Sequence, residues 1–404
     1  MRVATLAVLI QFLFSLGLLL APRSAAAQDS TLNRQYTFSA FNQYDLRNSS
    51  LNAISAHRLL HDGFRKGIKP HIGEKLGNVS YGVYSFAITY LTMLWSHEFG
   101  HSLRAAQVGG KFNIHNVGLP FPYTTMTLPQ DISLTDEALS VTGGFEVNYL
   151  NIANLQAEFM GHNGLPNEDL ALAFANRLMY PLYASVVVPI DPNNPEVWIN
   201  TAGDPVHYTL PVFEKYSNGE VFLPDGSVNP DLADFYNQAA LLASFFNLLD
   251  PQFYREVGAT FGNSQKFRQP IFLIGDHTTG WTYGTHFNTS PLGYELYMNN
   301  YLHLNGQQFG LTLRYGRPFN NSGLGLAWNN IVATQKVHLG GRVDLWAQDL
   351  FGEGIATELK AEFKLNHFIS ISTVAGYKTK GYVLGKQIDA GANLGLALSF
   401  TGTY

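Results

Sequence analysis

Two periodicities divide the sequence and predict an α+β protein, a helical domain followed by an antiparallel β-barrel of about eight strands. From Leu51 to Gly262 apolar residues recur at spacings of three and four, the period of a helix with one buried face. From Phe267 onward they alternate with polar residues or glycine, the period of a strand. A short basic and apolar leader precedes both. The expected organisation is an export signal over residues 1–27, a helical domain over 28–265 and the barrel over 266–404.

The leader consists of Arg2 as a basic start, an apolar run from Val8 to Ala21, and Ser24-Ala25-Ala26-Ala27 as a small-residue cleavage site. Four main helices are expected over Tyr84–Ala106, Thr135–Phe159, Leu170–Val188 and Leu232–Phe246. Ser133 and Asp136 form a capping pair before the second, and Asp250-Pro251 reads as an N-cap followed by proline at the first helical position. Turn residues such as Asp191-Pro192-Asn193-Asn194-Pro195 and Pro224-Asp225-Gly226 separate them. Arg177 sits inside the third run and argues against its spanning a bilayer.

Eight alternating segments follow, among them Leu292/Tyr294/Leu296/Met298, Leu324/Leu326/Trp328 and Leu394/Leu396/Leu398/Phe400, joined by turns such as Asn305-Gly306 and Asn366-His367. An even number of amphipathic antiparallel strands favours closure, because closure removes unpaired edges. The opposite face carries Glu295, Arg314, Arg342, Asp344, Glu358, Lys360, Glu362 and Lys364. That face would point to water in a soluble sandwich and inward in a membrane barrel. The last strand ends on Tyr404, in phase with Phe400, Leu398 and Leu396, and resembles the C-terminal strand of bacterial outer-membrane barrels. With an export signal, an outer-membrane barrel is the expectation. An aromatic content of 13% beside 14% charged residues fits contact with a membrane interface. A net charge of -5 and the scarcity of Lys/Arg clusters leave no footprint for nucleic acid.

The chemistry is concentrated in Trp95-Ser96-His97-Glu98-Phe99-Gly100-His101. Histidines four apart share a helix face and can offer their imidazoles to one zinc ion. Glu98, next in sequence to His97, can take a proton from a water at the metal as that water attacks a carbonyl. The preceding stretch from Val79 to Trp95 is free of charge, so three polar side chains at its end would be costly to bury without a task. The chain has no cysteine, which leaves histidines and carboxylates as its strong metal ligands and points to an open, catalytic type of site. His115 and His162 have no partner at ligand spacing and read as surface or loop residues. Arg104, one turn beyond Gly100, could steady a carboxylate or an oxyanion.

The stretch from His97 to Ile114 resembles the active-site helix of the site-2 protease family of membrane zinc metallopeptidases. In that family the motif is followed by a small residue and a glycine at the spacings of Ala105 and Gly109, then by a short β-hairpin, here Lys111 to Tyr123. Thr142-Gly143-Gly144-Phe145-Glu146-Val147-Asn148 resembles that family's helix containing Ala-Gly-Pro and a nearby Asn. Gly143, Gly144 and Asn148 match it, and Phe145 stands at the proline. The similarity covers the helical half. It implies peptide-bond hydrolysis by zinc-activated water, with His97 and His101 as ligands and Glu98 as base.

It also implies an aspartate as third ligand, in a Leu-Asp-Gly context after an Asn-Leu-Leu run. Asn247-Leu248-Leu249-Asp250-Pro251 offers a compressed version without the glycine, and Asp250 is equally explained as a helix cap. Glu146 is the other candidate and the one preferred, since a bare carboxylate in an otherwise uncharged helix is expensive unless paired or metal-bound. A downstream helical glutamate is the arrangement of thermolysin-like zinc peptidases.

The resulting expectation is a zinc metallopeptidase cutting a peptide or protein, held in the outer membrane by its barrel with the catalytic part facing the periplasm. Two alternatives stay open. One is a non-enzymatic outer-membrane barrel with a helical plug or binding module; the other is an inner-membrane protease of the site-2 type with a periplasmic β-domain.

Overall fold

The computed structural model describes residues 33–41, 44–116, 122–162, 164–190, 194–200, 203–217, 219–261, 267–305 and 307–403. The expected signal, the junction near residue 265 and Tyr404 lie outside them.

All four expected helices are present, three extending beyond their apolar periods at both ends and the third starting earlier but ending just before Val188. They are α2 (Glu74–Gln107), α3 (Leu134–Gly161), α4 (Asn167–Leu182, continued by a wider π-type turn over Tyr183–Val187) and α7 (Pro230–Leu249). α3 begins as its capping residues dictate, with the Ser133 hydroxyl accepting from the Asp136 N–H at 3.1 Å. Among the described residues four further α-helices are α1 (Arg47–Gly63), the short α5 (Pro195–Ile199), α6 (Asp204–Tyr216) and α8 (Pro251–Phe261). Asp250 caps α8 by accepting the Gln252 N–H at 2.8 Å. α3 runs through the centre, packed on α1, α2, α4, α6 and β7 (Thr279–Ser290). Its middle, from Ala138 to Ile152, is buried on all sides, which explains why Gly143, Gly144, Ser140 and Thr142 are small.

The eight expected strands are β7, β8 (Gly293–Leu304), β9 (Gln307–Pro318), β10 (Asn321–Ala333), β11 (Val337–Gln348), β12 (Gly352–Lys364), β13 (Ile369–Lys378) and β14 (Gly391–Thr403), each antiparallel to the next. They do not close on themselves. β1 (Asn33–Phe41) pairs with β14 from Asn33↔Thr403 to Phe41↔Gly395, so the part of the chain expected to be helical gives a strand to the sheet. At the other end the two-residue β6 (Ile274–Gly275) pairs with β7. The result is one open sheet of 10 strands with β1 and β6 at its ends.

A two-residue strand cannot bridge such a gap, and helices fill it. α1 packs on β1, α7 and α8 pack on β7, and α2 and α4 lie between them. Among the described residues two small pairings lie outside the large sheet: the hairpin of β2 (Lys111–Asn116) with β3 (Pro122–Thr127), as expected after α2, and the long-range antiparallel pair of β4 (Leu165–Pro166) with β5 (Phe267–Arg268).

The sheet is inverted relative to a water-soluble one. Leu326, Leu345, Ile355, Leu359, Leu394, Leu396 and Phe400 stand exposed on its outer face. The inner face carries buried Glu295, Arg314 and Asp344, and charges there are paired: Arg342 with Asp344 at 2.8 Å, and Glu358 with Arg47 and Lys386. Lys360 and Lys364, towards one end of β12, are exposed.

Candidate metal centre

α2 and α3 cross at glycines. A Cβ on Gly100 would fall 2.1 Å from the Gly143 carbonyl oxygen, and one on Gly143 would fall 2.4 Å from that of Gly100, so the helix axes approach as closely as backbone allows. This contact sets His97 and His101 of α2 against Gly144 of α3, whose missing side chain leaves the space the imidazoles face.

The third member of the cluster is Asp204, the first residue of α6. His97 Nε2 lies 2.9 Å from Asp204 Oδ2, His101 Nε2 lies 3.3 Å from the same oxygen, and the two Nε2 atoms are 3.1 Å apart. Ligand atoms about 2.0 Å from a tetrahedral zinc ion are separated from one another by roughly 3.3 Å. The spacing therefore fits one such ion without rearrangement.

The remaining ring nitrogens show why these atoms converge. His97 Nδ1 is 2.7 Å from Asn148 Oδ1, and the Asn148 amide is oriented because its Nδ2 donates to Asn176 Oδ1 at 2.7 Å. His101 Nδ1 is 3.3 Å from the Ser140 carbonyl, an acceptor. Both Nδ1 atoms therefore carry the proton, and each Nε2 presents a lone pair to the other and to a carboxylate. Three electron-rich atoms facing one another in a buried site call for a cation between them. A proton can stand in for that cation: against the opposing effect of burial, Asp204 and Glu98 raise the His101 imidazole to about 9, and the imidazole so charged holds the Asp204 carboxyl far below the usual carboxylate range.

The donor set of two imidazoles and one carboxylate fits zinc with a fourth position open. That opening is on the Asp204 side, since the Asp204 side chain is 25% exposed whereas the histidines are enclosed. Glu98, buried in the same turn of α2, acts electrostatically on His101 and on Tyr183. The Tyr183 hydroxyl stands at the edge of the site, 3.7 Å from where a Gly203 Cβ would lie.

Neither expected third ligand reaches the histidines. Glu146 is locked by Arg104, which donates from Nε at 2.8 Å and from Nη2 at 2.6 Å, and it also accepts the Gly385 N–H at 2.7 Å. Asp250 accepts from Arg177 and Gln156 at 2.6 Å and from the Thr285 N–H at 2.9 Å. Each buried carboxylate is neutralised by a guanidinium and its lone pairs are occupied, which removes the reason for expecting a metal there. Arg104 does steady a carboxylate, as one of its two expected roles had it. His115 stacks on Tyr123 in the hairpin, and His162 lies at the end of α3, 3.6 Å from Glu158; both are away from the cluster. Asp204 carried a modest sequence signal, an aspartate between Gly203 and Pro205 at a helix start, which reads as capping rather than ligation.

No family model matches the chain, and no curated protein matches its sequence. Among solved structures, it is similar to OmpT, an outer membrane protein of Vibrio cholerae. The loop L8 deletion mutant gives 14% identity and a TM-score of 0.20 over 31% of this chain and 47% of that one. The in-vitro folded trimer form gives 12% identity and a TM-score of 0.21 over 30% and 50%. The chain thus spans about half the length of these structures.

Proposed function

We propose that this protein is a zinc-dependent peptidase embedded in the outer membrane. The observation that carries the catalytic part is the convergence of His97, His101 and Asp204 at tetrahedral spacing, with Glu98 in the same helical turn as the two histidines. Bound zinc would supply the Lewis acidity that makes a water nucleophilic near neutral pH and polarises a peptide carbonyl. The chain's own residues do the rest. His97, His101 and Asp204 hold the ion, while Asn148 and Ser140 fix the imidazole tautomers that allow it. Glu98 takes the proton of the attacking water and returns it to the leaving amine. Tyr183, at the rim, can donate its hydroxyl to the oxygen that gains charge as the carbonyl is attacked.

The membrane part rests on the inverted sheet. Strands of 12 or 13 residues, tilted by about 45°, span a hydrocarbon layer of roughly 30 Å, and an apolar outer face over a charged inner one is the pattern that lipid selects. A periplasmic β-domain on an inner-membrane protease would instead expose its charged face to water. On this reading the site faces the periplasm, where exported polypeptides are available as substrates.

The test is zinc content and peptide hydrolysis measured on purified, detergent-solubilised protein and on Glu98→Gln. The variant should keep one zinc per chain and lose hydrolysis by at least about a hundredfold. Unchanged hydrolysis in Glu98→Gln would overturn the role of Glu98 as base, and wild-type protein that holds zinc but hydrolyses no peptide would show that the cluster is a structural metal site.

A further inference from the structure

Helices as well as strands expose apolar surface on this protein. On α2, Val79, Val83 and Phe86 are 63%, 70% and 75% exposed, and they lie on one face at spacings of four and three. Between Val79 and Tyr90 the other exposed positions on that helix are Gly82, Ala87 and Tyr90. Val186 and Val187 in the turn that ends α4 are 68% and 65% exposed. Leu241, Phe245 and Leu248 form a third such face on α7. These helices fill the arc between the ends of the open sheet, so their apolar faces continue the outer face of the strands.

We infer that α2, α4 and α7 face lipid acyl chains and complete the wall that the ten strands leave open, giving a barrel built partly of strands and partly of helices around a central α3. This rests on the membrane reading above. The lengths agree with it. From Leu76 to Ser96, α2 contains no Asp, Glu, Lys, Arg or His, and these residues rise about 31 Å at 1.5 Å each, the thickness of a hydrocarbon core. Lys75 and Glu74 lie at one end of that stretch, and Tyr90, Trp95 and Phe99 towards the other, as charged and aromatic residues do at membrane boundaries. Asn167–Val187 is a helix long and apolar enough to cross a membrane. Its Arg177, the residue that argued against a span, points inward and is paired with Asp250 and Glu256 at 2.6 Å. The mixed wall also explains why a sheet ending in a two-residue strand needs no closing strand pair: helices satisfy their own backbone and tolerate lipid on one side.

The absence of native cysteine makes a clean test possible. Single cysteines at Val83, Phe245, Leu326 on the strands and Ser227 in an exposed loop are spin-labelled in the full chain in lipid bilayers. Collisional accessibility to oxygen and to a water-soluble nickel chelate is then compared. Labels at Val83 and Phe245 should match Leu326 in favouring oxygen, with Ser227 favouring the chelate. A lipid-exposed Leu326 with water-exposed Val83 or Phe245 overturns the mixed wall alone. A water-exposed Leu326 overturns the membrane reading and the mixed wall with it.

Discussion

Replacing Gly144 by alanine tests the site at its tightest point. The added methyl would lie 2.5 Å from His101 Nε2 and 2.6 Å from His97 Nε2, whereas ordinary contacts begin at 3.4 Å. The nitrogens would have to retreat by about 0.8–0.9 Å. The retreat is resisted on both sides: the Asn148 hydrogen bond and the Phe145 ring hold His97, and the Gly100–Gly143 contact stops the helices from sliding closer elsewhere. Zinc sites tolerate about 0.2 Å in ligand position. Gly144→Ala should therefore weaken zinc binding at least about a hundredfold, close to 2.8 kcal/mol. Stoichiometry by elemental analysis and affinity by competition with a chelator measure this, alongside a thermal melt. Gly82→Ala on the exposed face of α2, where a Cβ meets nothing within 4 Å, is the control and should keep full affinity. The helix gains up to about 1 kcal/mol from alanine in either variant, so a loss of metal in Gly144→Ala alone isolates the steric effect. Wild-type affinity in Gly144→Ala would refute the placement of the ion between these imidazoles.

Asp204→Ala should lose zinc while retaining its fold, read by elemental analysis and circular dichroism, because Asp204 is partly exposed and its helix keeps its other contacts. Glu146→Ala should behave oppositely: it strands Arg104 in a buried site and costs about 3–5 kcal/mol of stability in denaturant unfolding, while folded molecules keep their metal. Tyr183→Phe should lower kcat by about 10–100-fold with zinc content unchanged and KM little altered, the signature of a group acting on developing charge. Dialysis against a strong chelator should abolish hydrolysis and lower the melting temperature, with both restored by zinc, since the ion binds only the folded arrangement.

Local patterns carried much of this protein on their own. His97, Glu98 and His101 share a helix by spacing, so the sequence alone placed them on one turn and gave them chemistry. Ser133 and Asp250 announced helix starts by capping, and a period of two announced β7 to β14. Asn148 was marked by its match to a helix in a known family, although only the structure shows it orienting His97.

What the sequence left open were relations between distant segments. A carboxylate in an uncharged helix must be compensated, but sequence cannot tell a metal from a guanidinium, and for Glu146 and Asp250 the partners turned out to be Arg104 and Arg177. Asp204 lies 107 positions from His97, and its local sequence did not single it out, because nothing local distinguishes an aspartate at a helix start from a ligand. Closure was likewise a tertiary matter. Alternation fixes which side chains share a face, but it says nothing about which partner occupies a sheet edge, and here β1 and a set of helices took the places that a self-closing barrel would have given to strands. The residue types and their local spacing thus determined the chemistry available. The packing of α2 against α3 and α6 decided which of those groups could meet, since only three-dimensional proximity sets the interactions of buried charge.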